Sequence, residues 1–218
     1  MSAERVSAVG RLRSLRALFS LRDVTMRHGM SPDTARNAIS RWKANRLVAP
    51  AGPKLGWYYN LIVDPDGRDA HLGDAITAVF GTAVVIGATV LNDRGWTPQR
   101  PMATMVAVPQ ARSYPKIDGA LVYGRPAEWY LRVHAAINCE FGRAGPGRFG
   151  LPSLPPEFAL ADMLKHRDCL HSLAPDDIEI PDDEMQPDVL AEAFETLGVP
   201  PDCYGPYTRG CLPAAASA

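Results

Sequence analysis

The chain has 218 residues, 46% of them hydrophobic and 22% charged, with a formal net charge of −1. That length can bury one large or two small cores, and the composition excludes wholesale disorder, a fibrous repeat and a disulfide-stapled miniprotein. The near-neutral average conceals a division. Residues 1–54 hold eleven Lys/Arg against three Asp/Glu, a net of +8, and the other 164 residues hold 12 bases and 21 acids, a net of −9. A basic head on an acidic body is expected to be two domains with different partners.

In chain order, Val6, Val9, Leu12, Leu15, Leu18 and Phe19 recur at spacings of three and four, which predicts one apolar helical face. Ser20 is placed to cap the next helix. Asp23 completes a capping box, and Phe19 and Val24 have the spacing of a hydrophobic staple. Gly29 is expected to stop this short helix. A second start signal follows at once: Ser31 as N-cap, Pro32 at the first helical position and Asp33 at the positive dipole end. The helix is expected to run to about Asn45, burying Ala35, Ala38, Ile39 and Trp42, with Leu47 closing the core. Thr34, Arg36, Asn37, Ser40, Arg41 and Lys43 are left facing outward. From Leu47 to Tyr59, Pro/Gly-rich turn residues separate two β-prone runs, which predicts a hairpin wing with Lys54 near its tip.

A short helix, a Gly-containing turn, a capped cationic helix and a wing make the layout of a winged helix-turn-helix, whose second helix enters the major groove. Arg36, Asn37 and Arg41 are expected to face base edges, and Ser31, Thr34, Lys43 and Lys54 to contact phosphates, with Ser40 on the same face. A merely solvated basic face is the competing explanation. The coincidence of charge with cap, turn, helix and wing favours DNA.

The turn Val63-Asp64-Pro65-Asp66-Gly67 is the expected domain boundary. Beyond it, residues 71–80 read as helix, 83–86 as a strand, 89–94 as a short helix ended by Gly95, and 103–108 as a strand. Residues 121–123 and 129–135 are further strand candidates, and 154–171 read as an amphipathic helix. Residues 75–92 carry no charge over 18 positions, the lower edge of a membrane-spanning length, but Gly81, Gly87 and three threonines interrupt them. Helix, buried strand and second helix is the preferred reading, with no membrane partner. The expected fold class is α+β: a winged helix-turn-helix over 1–63, a mixed α+β domain over 64–175, and an acidic, Pro-rich tail over 176–218 with a possible short helix at 188–197.

The run Ile86-Gly87-Ala88-Thr89-Val90-Leu91-Asn92-Asp93-Arg94-Gly95-Trp96-Thr97-Pro98-Gln99-Arg100-Pro101, followed by the strand 104–108, resembles the AbiEi-type antitoxins of abortive-infection (type IV) toxin–antitoxin systems. In that family a small-residue helix, a Gly-Leu-Thr-x-Gln-like turn and a β-run follow a winged helix. Leu154-Pro155-Pro156-Glu157-Phe158-Ala159-Leu160-Ala161-Asp162-Met163-Leu164 is similar to a later helix of the same family. The resemblance covers about Phe19 to Lys165. Trp96 stands where the family tends to have Leu, and the wing ends Gly56-Trp57-Tyr58 rather than Gly-x-Tyr. The resemblance implies a head that binds and represses its own promoter, and a C-terminal domain that opposes a nucleotidyltransferase-like toxin. A one-component transcription regulator whose C-terminal domain binds a small ligand is the alternative.

The remaining motifs argue against an enzyme. His166-Arg167-Asp168 begins like a kinase catalytic loop, but the required Asn is Leu173 and no phosphate loop accompanies it. His166, Cys169 and His171 offer three metal-ligand types with no fourth. Gly142, Gly145, Gly147 and Gly150 lack the Gly-Lys-Ser/Thr of a P-loop and read as a mobile loop between strand and helix. The acids at 176–188 lack the spacing of a calcium loop. Asp162, inside the family-like helix, reads as a first-turn charge. No cofactor or metal is expected. Four cysteines without a CxxC pair, and no secretory leader, suggest reduced thiols in a cytoplasm. The residues from Pro200 onward are expected to be disordered.

Overall fold

The computed structural model describes residues 7–167, 173–181, 187–200 and Cys203. The fold is mixed α+β, with two three-stranded sheets among these residues. The chain divides into two compact units: Met1–Gly81 with Ser113–Gly119, and Thr82–Arg112 with Ala120–Ala218.

The first unit begins with α1 (Ala8–Arg13), capped by Ser7. The predicted long apolar helix ends here. Ser14 and Leu15 turn back on Arg11 and Leu12, and Leu18–Ser20 forms strand β1. Phe19 therefore reaches the core from a strand rather than a helix. The reason lies partly in the next cap: Ser20 must be extended (φ −111°, ψ 171°) to receive the Asp23 amide, so the residues before it lie in β space. The capping box forms as expected and starts α2 (Leu21–His28), which Gly29 ends in the left-handed conformation at φ +60°. Helix α3 (Pro32–Ala44) follows, with the Ser31 side chain accepting the Thr34 amide. Its buried face is Ala35, Ala38, Ile39 and Trp42. Strands β2 (Val48–Pro50) and β3 (Trp57–Asn60) form the antiparallel wing, and β1 pairs on the other side of β3. The core between helices and sheet is Leu12, Leu15, Phe19, Val24, the α3 face and Val48. Phe19 meets Trp42 edge-on at 6.4 Å between ring centres. Asn60, fully buried, donates to the Leu12 carbonyl at 2.8 Å and ties β3 to the end of α1.

The division between units does not fall at the turn 63–67. Helices α4 (Gly67–Ala70) and α5 (Leu72–Phe80) belong to the first unit. Ala75 on α5 packs with Tyr59 and Ala51 on the wing. Residues 113–119 return to the same unit from much later in the chain. Residues 55–81 add Arg68 against Asp64, Asp66, Asp69 and Asp74, and 113–119 add Lys116 and Asp118. The unit's net charge thus falls from +8 to +5, leaving −6 on the second unit.

The second unit holds β4 (Val84–Val85), α6 (Gly87–Asp93), β5 (Thr104–Pro109) and β6 (Ala120–Arg125), in sheet order β4-β5-β6. β4 is antiparallel to β5, and β5 is parallel to β6. Residues 152–154 hydrogen-bond along the free edge of β4. The uncharged run 75–92 is therefore split among α5, β4 and α6, and no helix of the described residues is long and apolar enough to cross a membrane.

Three expectations for this unit fail. Residues 129–135 are not a strand but the start of α7 (Ala127–Ala144), which buries Trp129 and Val133 one turn apart; spacing of four, not alternation, is the deciding signal. The glycines at 142–150 accordingly lie at the end of α7 and in a turn leading to another helix, not between strand and helix. Helix α8 (Pro156–His166) is not amphipathic: every residue from Pro156 to Leu164 is buried. Helix α9 (Pro187–Leu197) buries Leu190, Ala193, Phe194 and Leu197 and packs on α8 and α7. The segment expected to be a tail thus supplies a layer of the second unit.

Candidate nucleic-acid interface

The turn of residues 29–31 sets α2 before α3: Gly29 ends α2 in the left-handed conformation, and the Ser31 side chain caps α3 by accepting the Thr34 amide, one of the helix-start donors that would otherwise lack a partner. Burial of the Ala35, Ala38, Ile39 and Trp42 stripe then fixes which side of α3 faces solvent. Thr34, Arg36, Asn37, Ser40, Arg41 and Lys43 are all exposed on it, as the sequence predicts, and Ser31 stands exposed at its start.

The electrostatics of this face are only lightly compensated. Arg36 pairs with Asp33 one turn back at 2.5 Å, both side chains largely exposed. Such an exposed pair is worth about 0–1 kcal/mol, so a phosphate or base edge competes with it easily. The Arg41 Nε donates to its own helix at the Asn37 carbonyl, 3.3 Å away, and this leaves the rest of the guanidinium in solvent. A second basic surface lies on α1 and α2. On it His28 is held below the usual 6.5, first by burial and then by the charges of Arg11 and Arg27; a hydrogen bond to the Arg11 backbone opposes the shift.

The wing places Lys54, exposed, in the turn between β2 and β3. Its backbone is left-handed at φ +60°, a conformation that non-glycine residues adopt rarely. All eight sequence-predicted contact residues thus lie on α3, at its N-cap or in the wing turn. Sequence reasoning missed what surrounds the wing: Ala51 and Gly52 are buried by residues 113–119. No local signal places those residues there, because they follow the wing by some sixty positions.

The second unit carries another arrangement that sequence reasoning misread. Asp162, in the middle of α8, is fully buried. Arg125 at the end of β6 grips it with Nε on one carboxylate oxygen at 3.1 Å and an Nη on the other at 2.7 Å. The Trp129 indole donates to the same carboxylate at 2.6 Å, and His166, one turn along α8, lies 3.5 Å away. A bidentate guanidinium and an indole satisfy a charge that burial would otherwise penalise heavily. This joins β6, α7 and α8, and it is a tether within the fold rather than a first-turn surface charge. Glu140 on α7, also buried, pairs with Arg94. Of the three metal-ligand types noted at His166, Cys169 and His171, the latter two lie outside the described residues, as do Asp168, the acids at 182–184 and nearly all of the chain beyond Pro200.

The sequence matches no protein-family model and no curated protein. Among solved structures, it is similar to the RV2827C protein from Mycobacterium tuberculosis, at 15% identity and a TM-score of 0.49, over 93% of this chain and 79% of that one.

Proposed function

We propose that this chain is a cytoplasmic DNA-binding antitoxin that represses its own toxin–antitoxin operon and opposes a nucleotidyltransferase-like toxin. The observation that carries the DNA-binding half is the capped helix α3, whose outward face gathers Arg36, Asn37, Arg41 and Lys43 beside a wing bearing Lys54. Asn and Arg suit bidentate contacts to base edges in the major groove, and the lysines suit phosphates. The antitoxin half rests on the sequence resemblance of residues 86–108 and 154–164 to AbiEi-type antitoxins. In this reading the acidic second unit acts on the toxin and not on DNA, and no cofactor or catalytic residue is assigned to it.

The test uses the chain's own upstream region as probe. A good base contact contributes about 1–3 kcal/mol, so Arg36→Ala with Arg41→Ala should weaken binding by at least about 30-fold in a gel shift. Rescue of cells from the toxin should persist. Loss of rescue with DNA binding unchanged would reverse the assignment of the two units.

A cavity in the second unit favours the alternative of a ligand-responsive regulator. It encloses about 290 Å³ among α7, α8 and α9, and Arg132, Cys139, Glu140, Glu157 and Thr196 are among its lining. That is just below the usual range of small-molecule pockets, about 300–1,000 Å³. A neighbouring gene for a nucleotidyltransferase-like protein favours the antitoxin; its absence favours the regulator.

A further inference from the structure

We infer that residues 113–119 form part of the DNA interface, bracing the wing and adding Lys116 to the wing that carries Lys54 as a second phosphate-binding cation; this rests on the DNA-binding reading above. β5 and β6 are parallel and in register from Thr104↔Ala120 to Pro109↔Arg125. The chain leaving Pro109 must therefore return the length of a six-residue strand, about 20 Å, before β6 can begin. Parallel neighbours usually make that return through a helix of a dozen or more residues. Here only residues 110–119 are available, and they contain no helix or strand. Their second half passes against the wing.

The contact is close and depends on a particular residue. A Cβ on Gly52 would lie 2.2 Å from the Lys116 carbonyl oxygen and 3.2 Å from the Ile117 Cα, so only glycine lets the two backbones meet. The Asp118 amide donates to the Ala51 carbonyl at 2.9 Å, and Ile117 is 1% exposed. The Asp118 carboxylate is taken by Arg68 at 3.3 Å. Lys116 itself is exposed, as is Lys54 two residues from Gly52, and neither has an ion pair among the described residues. A surface turn is ordinarily more mobile than the elements it joins. This one is already held, and its brace brings a cation of its own. Each strand presents a phosphate every 3.4 Å or so of helix axis, so neighbouring lysines can serve neighbouring phosphates.

The experiment measures binding of the full chain to a labelled duplex of random sequence and to the chain's own upstream region, across a salt series. Lys116→Ala should weaken both complexes by the same factor and lower the slope of log K against log salt by about 0.9, one phosphate contact. Lys116→Glu should weaken both further. Gly52→Ala should displace the strap, so that adding Lys116→Ala to it changes little more. Arg100→Ala, an exposed cation of the second unit, should leave the slope unchanged, and circular dichroism should show the Lys116 variants folded. If Lys116→Ala and Lys116→Glu both keep the wild-type slope while Arg36→Ala with Arg41→Ala weakens binding as expected above, the strap is scaffold only and the inference fails with the DNA reading intact. If the wild-type chain itself binds neither duplex at low salt, both fail together.

Discussion

Arg41 on α3 and Arg125 at the end of β6 carry the same guanidinium into opposite circumstances. Arg41 is exposed and, among the described residues, bonded to its own helix backbone. Arg125 is 1% exposed and clamped by Asp162, with Trp129 completing the carboxylate's shell. The same division runs through the two units. The first presents cations whose existing partners are weak, and the second uses its buried charges to join elements of its own core. A charge already spent in a buried network is not available to a partner. The contrast therefore says which arginines to associate with recognition and which with stability, a distinction that counting charges cannot make.

Three substitutions test that contrast. The largest effect is expected from Asp162→Ala, which leaves the Arg125 guanidinium buried without its carboxylate; losing one member of such a pair costs about 3–5 kcal/mol. Denaturant unfolding of the full chain should show the loss, and duplex binding at a temperature where the variant remains folded should be unchanged. A cost near zero would mean that the network is not a tether. Asp33→Ala should cost no more than about 1 kcal/mol, since it breaks an exposed pair at a helix start. Affinity for duplex DNA should rise, because Arg36 is released and an acid is removed from the interface.

The smallest effect concerns His28. Burial together with Arg11 and Arg27 depresses its basicity, so between the depressed value and 6.5 the folded chain binds fewer protons than the unfolded one. Its contribution to stability is present above pH 6.5 and is lost as pH falls through the folded-state value. The melting temperature of the wild type should therefore drop more between about pH 7.5 and pH 5 than that of His28→Gln. Equal drops would remove His28 from the account.

The features legible in the sequence are those set by neighbours along the chain. Ser20 with Asp23, Ser31 with Pro32, and Gly29 between them specify two helix starts and one stop through contacts no longer than four residues. The period of Ala35, Ala38, Ile39 and Trp42 then dictates the outward face of α3, and the excess of Lys/Arg in the first 54 residues is plain arithmetic. Tertiary structure decided the rest, because the deciding partners lie far away. Leu18–Ser20 became a strand because Trp57–Tyr59 offers it a hydrogen-bonding edge. Trp129 could fall on a helix or a strand by local pattern, and its place beside Asp162, 33 residues on, accompanies the helix. Asp162 is ordinary in sequence and became the anchor of three elements only where Arg125 meets it. Helix α9 was readable as an apolar stripe, but α8 and α7 had to supply the surface it covers. Gly52 looked like one turn glycine among several, and its necessity arises from a backbone 64 positions later that comes within contact distance of it.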